Sequence, residues 1–364
     1  MKKWMIFIIV VGLSLVYGLM YKDKIVDETQ HQTEHDTNHV DESVIKRPVY
    51  ETSQYKLSEL VKREVVLMGS QFIFVVEAPE KLALQIITKI TENLLTLESK
   101  ISSWKPGSDV FLLNQQAGKW IKVSQQTMSL LLLSKRAFED TDGDFDVTIG
   151  SVWDLYPFRD QTRDLPDDTE IQQQLQFVGT DKIELNQSEM KVRIPRGMKI
   201  NLGGIGKGYA AEFAISLLRE MGIKNAAVSA GGDVYLMGKK SNGPWNISIE
   251  NPRWKGQVIE QFSIADYAVA TSGDNQRYIK HKGKRYSHII NPKTGKPANG
   301  TQSVTILTKD AALADVYATA VSVKGAIEGM RWVNNKENIE ALIIDDNSSV
   351  TRSTGWETLT KGLQ

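Results

Sequence analysis

In the segment 81–102 apolar residues recur every three or four positions, at Ile87, Ile90, Leu94, Leu97 and Ile101. That spacing lines one face of an α-helix. A second helix is predicted from Ser124, a suitable N-cap, through LLLLSKRAFE (130–139), until the glycine and aspartates of DTDGDFD (140–146) end it. A third carries Phe213, Ala214, Leu217, Leu218 and Met221, and a fourth opens near Asp310. Between them lie runs of strand character: VVLMGSQFIFVVE (65–77) around a glycine turn, KIEL (182–185), KVRI (191–194), AAVSAGGDVYLMG (226–238), WNISIE (245–250), YAVATS (267–272), SVTILT (303–308) and IEALIID (339–345). Runs of strands broken by a few long helices predict an α+β fold rather than a doubly wound sheet, with residues 54–364 forming a single large mixed domain. No internal repeat at a solenoid period is visible.

The pattern changes before residue 54. Positions 4–20, WMIFIIVVGLSLVYGLM, are apolar with Ser14 and a few small residues as relief, close to the ~20 apolar residues that a spanning helix needs. VYG (16–18) makes a poor signal-peptide cleavage site, so an uncleaved signal anchor over 1–21 is expected in preference to a removed signal peptide. Lys2, Lys3 and the terminal amine against Lys22 and Lys24 give a slight preference for the body outside the cytoplasm. Residues 22–53 are polar and read as a flexible tether. His31, His35 and His39 repeat every four residues there, but in so polar a tract they read as a solvated linker rather than a metal site.

Composition then removes options. Lysine plus arginine equals aspartate plus glutamate, 44 against 44, so nothing favours a nucleic-acid partner. With no cysteine, disulfides, thiolate metal sites, cysteine nucleophiles and cysteine lipidation are all excluded.

The densest chemistry lies in NLGGIGKGYAAE (201–212). Its glycines let backbone approach a ligand, the following helix N-terminus favours an anion, and Lys207 adds a full charge. The run is neither a P-loop, since Gly208 follows Lys207, nor a dinucleotide fingerprint, since Gly204, Gly206 and Gly208 have the wrong spacing. A tight turn needed for packing and a phosphate site both remain compatible with it. Asp315 and Thr319, four apart in DAALADVYATA (310–320), share a helix face and offer hard oxygens suited to magnesium, or else are ordinary helix-face residues. ATSGDNQRY (270–278) and YSHIINPKTGKP (286–297) are turn-rich and contribute Asp274, Arg277, His288, Asn291 and Lys293.

Taken in order, LMGSQF, ISSWKPGSDVFLLN, GDFDVTIG, NLGGIGKGYAAE, VSAGGDVYLMG, ATSGDNQRY, YSHIINPKTGKP and SVTILTKDAALADVYATA resemble the motifs of the FAD:protein FMN transferase (ApbE) family, from about Met68 to Ile344. The resemblance implies an ApbE, T-fold-like domain. It also implies a magnesium-dependent reaction that moves FMN from FAD to a threonine or serine hydroxyl of an acceptor protein and releases AMP. The implied metal ligands are the Gly204 carbonyl, Asp315 and Thr319. The implied FAD contacts are Met68, Trp104, Asp144, Phe145, Asp146, Asn201, Lys207 and Ile289. For the base that takes the hydroxyl proton, His288 and Asp315 are the candidates, with His288 preferred.

The implied acceptor is a membrane or surface electron-transfer protein, which the anchor would bring within reach on the extracytoplasmic side. Three departures from the family pattern stand out: Asn201 where aspartate is usual, Trp104 where tyrosine is common and Asp144 where alanine is common. The lipoprotein cysteine of many members is absent, and the apolar segment would replace it. An FAD-binding carrier, an FAD pyrophosphatase and a scaffold with a decayed site are the alternative readings.

Overall fold

The computed structural model describes residues 8–10, 59–159 and 163–361. Its frame is an eight-stranded sheet, β1 (Glu59–Leu67), β2 (Ser70–Ala78), β3 (Ala226–Ala230), β4 (Asp233–Met237), β5 (Ala268–Gly273), β6 (Thr301–Thr308), β7 (Glu340–Asp345) and β8 (Val350–Arg352). Each strand pairs antiparallel with the next in this order. Long insertions between strands supply the helices, which is why the sequence shows strands in bursts.

Alternation along the strands builds two cores. Phe74, Val76, Val228, Tyr235 and Ile306 point into one, and Val75, Ala227, Leu236, Val269 and Leu307 into the other. Helices Glu80–Ile101, Gly206–Glu220 and Ala311–Lys324 pack on the first face. A small sheet of Trp245–Glu250 and Val258–Ile264, with helix Trp356–Lys361, covers the second. With both faces covered, β3 and β4 are buried at every position, so neither shows the polar alternation of a half-exposed strand.

Most predicted elements are present. Glu80–Ile101 buries Ile87, Ile90, Leu94, Leu97 and Ile101. Ser124 Oγ accepts from Thr127 N–H at 3.3 Å to open helix Gln125–Asp140, and Asp310 Oδ1 accepts from Leu313 N–H at 2.9 Å to open Ala311–Lys324. The polar stretch before residue 175 holds a helix that the apolar pattern did not indicate, Asp168–Leu175, started by an Asp167/Glu170 capping box. Residues 149–175 also pack Trp153, Tyr156 and Phe158 against Ile279 and Ile290, forming a third, smaller cluster.

Of the apolar segment 4–20, only Ile8–Val10 lies within the described residues, as a short strand running parallel to Trp245–Glu250. The rest of the expected anchor over 1–21, and the tether over 22–53, fall outside them. Among the described residues no helix is long and apolar enough to cross a membrane.

One glycine decides how two site-bearing helices meet. A Cβ at Gly208 would lie 2.3 Å from the Ala311 carbonyl oxygen and 2.9 Å from Asp315 Cβ. Helices Gly206–Glu220 and Ala311–Lys324 therefore touch backbone to backbone, and the packing reading of the glycine run holds at this position. Gly208→Val should push the helices apart and lower stability by about 2 kcal/mol or more. Thermal denaturation checks this; an unchanged Tm would mean the contact is not tight.

Candidate active site

Five sequence segments converge at one end of the main sheet. The β1–β2 hairpin turns there through Met68 and Gly69, both at positive φ (51° and 68°), as a two-residue turn matching the strand twist requires. The β3–β4 turn lies beside it: a Cβ on Gly231 would sit 3.1 Å from Ser70 Oγ and 3.2 Å from Lys207 Cδ. Asp233 opens β4, Ser272 lies near the end of β5, and the N-terminus of helix Gly206–Glu220 faces Asp315 across the Gly208 contact.

Lys207 is the hub. Its Nζ lies 3.3 and 3.4 Å from the two carboxylate oxygens of Asp315, 3.3 Å from Asp233 Oδ2 and 3.4 Å from the Gly203 carbonyl. Asp315 Oδ2 also accepts from Gly208 N–H at 3.2 Å, so its charge sits on a helix N-terminus. Asp233 Oδ1 accepts from Thr271 N–H at 3.2 Å, while its buried Oδ2 makes no hydrogen bond and faces Lys207.

Burial by itself would lower the Lys207 pKa, but the Asp315 and Asp233 charges outweigh it and hold the ammonium above its ordinary range. Asp233 is pushed up from the carboxylate range by burial, with Asp315 adding to the shift and Lys207 opposing it.

Gly204, Phe145 and Thr319 meet beside this hub. A Cβ on Gly204 would lie 3.1 Å from the Phe145 ring and 3.3 Å from Thr319 Oγ1. Thr319 Oγ1 is 3.3 Å from Ser272 Oγ. The expected ligand set of Gly204, Asp315 and Thr319 is thus gathered with Lys207. It holds one carboxylate, and among the described residues no group of three or more His, Cys, Asp or Glu is arranged to hold a metal. Asn201 Oδ1 accepts from Gly203 N–H at 2.9 Å and shapes the glycine turn.

The other expected residues are placed differently. Asp146 is buried and saturated: it accepts from Thr148 N–H and Oγ1 and from Thr180 N–H and Oγ1, at 2.5–3.2 Å. Burial raises its pKa against those bonds. It braces the loop that carries Phe145. Asp144 forms ion pairs with Lys293, at 2.8 Å, and Lys324. Trp104 is 53% exposed, and the Arg159 guanidinium carbon lies 3.1 Å from its ring centroid, covering a face expected to stack on a flat ring. Ile289 is buried, with its carbonyl accepting from Ala298 N–H at 2.8 Å.

His288 Nδ1 is 2.9 Å from the Arg277 carbonyl, and its own carbonyl accepts from Trp153 Nε1–H at 3.1 Å. Burial, then the Arg277 charge and more weakly that of Lys207, push its pKa down from 6.5 to about 4, against the Arg277 carbonyl bond. His288 is therefore neutral at pH 7, and its surroundings move it away from the near-neutral pKa that favours it as a base. Because the folded value is the lower one, the stability it contributes is present above 6.5 and is lost as pH falls through about 4. Wild type should lose more stability than His288→Gln between pH 7 and pH 4.5, as denaturant titration would show.

Asp233, Arg159 and Lys324 were not singled out from the sequence. Asp233 had a local signal, a carboxylate after Gly-Gly at the head of a buried strand. Arg159 and Lys324 reach their partners only through tertiary contacts.

A model of the ApbE family matches residues 68–343, about three-quarters of the chain. The chain belongs to the ApbE family. It is 32% identical over 263 residues to the FAD:protein FMN transferase of Vibrio cholerae, covering 71% of this chain and 78% of that protein. It is 30% identical over 279 residues to that of Haemophilus influenzae, covering 73% and 80%. Among solved structures it is similar to the ApbE protein of Thermotoga maritima, at 32% identity and a TM-score of 0.78, over 83% of this chain and 99% of that one. The flavin transferase ApbE of Vibrio cholerae matches at 29% identity and a TM-score of 0.73, over 83% and 99%. The single mixed domain read from the strand and helix pattern is thus the ApbE fold.

Proposed function

We propose that this ApbE protein is an FAD:protein FMN transferase acting on a threonine or serine hydroxyl of an acceptor protein. The observation that carries the reading is the convergence on Lys207. A half-buried ammonium, two buried carboxylates, a helix N-terminus and the Gly204–Thr319 pair meet at one sheet end, in a chain whose relatives bear that name. In the proposed reaction the acceptor oxygen attacks the phosphorus of the FMN half of FAD. The bond from that phosphorus to the bridging oxygen breaks, and AMP leaves with the bridging oxygen.

The residues fit a magnesium ion. Asp315 and Thr319 offer hard oxygens one turn apart on helix Ala311–Lys324, and Gly204 backbone lies beside Thr319, where an added Cβ would sit 3.3 Å from its Oγ1, so the Gly204 carbonyl would be the third oxygen of the set. When bound, the ion supplies charge neutralisation to the diphosphate and the leaving phosphate. Lys207 places a compact charge against the diphosphate oxygens. Phe145 and Met68 flank the site, and Trp104 offers its ring to the flavin or adenine once Arg159 yields or from the opposite face.

His288, with Nδ1–H donating to the Arg277 carbonyl, presents Nε2 as the acceptor for the hydroxyl proton. Burial is the main cause of the low His288 pKa, with the Arg277 and Lys207 charges adding to it; a bound diphosphate would offset only those charges, so FAD should move the pKa upward in part. Asn201 keeps its acceptor for the Gly203 amide, a neutral role that asparagine fills as well as aspartate.

Anchoring of residues 1–21 in a membrane, with the body on the extracytoplasmic side, belongs to the same proposal. It places the enzyme beside membrane or surface electron-transfer acceptors, and recovery of the full chain in the membrane fraction tests it. For the reaction, the full chain is incubated with FAD, magnesium and an acceptor that the Vibrio cholerae enzyme flavinylates. Covalent flavin on the acceptor supports transfer. Free FMN and AMP alone would identify a pyrophosphatase, and bound but intact FAD a carrier.

A further inference from the structure

The geometry points to Asp144 as a positioning residue: its carboxylate, held between Lys293 and Lys324, latches the loop bearing His288 and Ile289 to the helix bearing Asp315 and Thr319. Asp144 is 7% exposed and spans two elements. Oδ1 takes Lys293 Nζ at 2.8 Å, and Oδ2 takes Lys324 Nζ. Lys293 lies five residues after His288, in the turn where Asn291 Oδ1 accepts from Lys293 N–H at 2.8 Å and Asn291 N–H donates to the Lys296 carbonyl at 2.9 Å. Lys324 is the last residue of helix Ala311–Lys324 and also donates to the Thr141 carbonyl at 3.3 Å.

The base of the latch is rigid. Asp142 and Gly143 hold positive φ, Asp144 N–H donates to the Thr141 carbonyl at 3.2 Å, and Phe145 N–H donates to Thr141 Oγ1 at 3.2 Å. Two residues on, Asp146 is fixed by Thr148 and Thr180.

On its far side the His288 loop is tied elsewhere, by Trp153 Nε1–H to the His288 carbonyl and Tyr156 O–H to the Gly295 carbonyl at 2.8 Å. Both of those ties come from the 149–175 segment. The Asp144 pairs are charge-assisted, and the Lys324 pair is largely shielded from solvent, with side-chain exposures of 12% and 9%. The latch therefore sets the spacing between the proposed proton acceptor and the proposed metal ligands, and catalysis falls steeply with small misplacements.

This inference rests on the transferase reading for its functional consequence but not for its geometry, so two readouts are needed. In the ligand-free full chain, amide hydrogen exchange over 288–297 should quicken in Lys293→Met and in Asp144→Ala, and return to the wild-type rate in Lys293→Arg. Lys293 is 55% exposed at its side chain, so its methionine variant keeps Asp144 paired with Lys324 and folds. In the transfer assay each single variant should lose about tenfold in kcat/KM. The double variant should be no worse than Asp144→Ala alone, because both act through one latch. Unchanged exchange in both variants overturns the latch. Multiplying losses in the double variant would show Lys293 acting directly on FAD and overturn it as well. Quickened exchange in the variants, beside a wild type that neither binds FAD nor transfers FMN, would leave the latch standing and remove the transferase reading instead.

Discussion

Asp315→Asn is expected to lower the rate of flavin transfer by about 10³-fold or more, roughly 4 kcal/mol of barrier, while leaving the fold intact. The substitution is nearly isosteric. Its remaining carbonyl oxygen still accepts the Gly208 amide, and Lys207 still has Asp233 at 3.3 Å. What disappears is the one carboxylate of the set Gly204, Asp315 and Thr319, and with it the charge that would fix a divalent cation beside the diphosphate. Steady-state kinetics over a magnesium titration, with Tm measured alongside, checks this. A variant that keeps wild-type turnover at millimolar magnesium would remove Asp315 from the site. A collapsed Tm would mean that the carboxylate chiefly holds the two helices together.

Lys207→Met should be the second most damaging change, and for two separable reasons. It removes the compact cation proposed to meet the diphosphate, so transfer falls by about 10²-fold. It also leaves Asp233 and Asp315 buried without their shared counter-ion, which costs about 2 kcal/mol once the partial solvent access of the lysine, 26%, is allowed for. In the wild-type protein the ammonium lies against both Asp315 oxygens, where it competes with any metal for that carboxylate. With the lysine gone, magnesium should therefore raise the Tm of Lys207→Met, measured against a chelator control, by more than it raises that of wild type. An equal or smaller magnesium shift would mean that the lysine and the metal do not share Asp315.

The sequence carried the fold well where periodicity was local. Ile87 to Ile101 declared a helix face, and the caps Ser124 and Asp310 marked helix starts that the structure contains. Burial on both faces hid the alternation of β3 and β4, but their apolar runs around Gly231–Gly232 still read as strand, turn, strand. Helix Asp168–Leu175 escaped because its start is a polar capping box and it buries only Ile171.

In the site, the oxygen chemistry of Asp315 and Thr319 was visible from their i, i+4 spacing, and Lys207 from its glycines. Partnerships were not visible. Nothing local says that Asp233 faces Lys207, that Arg159 lies on Trp104, or that Asp144 holds two lysines. In the glycine run, Gly208 serves helix packing and Gly204 lies against Thr319, while the phosphate reading stays with the proposed function.

The proposed activity is the covalent joining of FMN to a protein hydroxyl. Its most direct test is intact-protein and peptide mass spectrometry of an acceptor incubated with the full chain, FAD and magnesium, with the Vibrio cholerae transferase in parallel. One FMN per acceptor is expected on a threonine or serine through a phosphoester, with one AMP released per FMN added and neither product with Asp315→Asn. An unmodified acceptor beside a fully flavinylated control would contradict it.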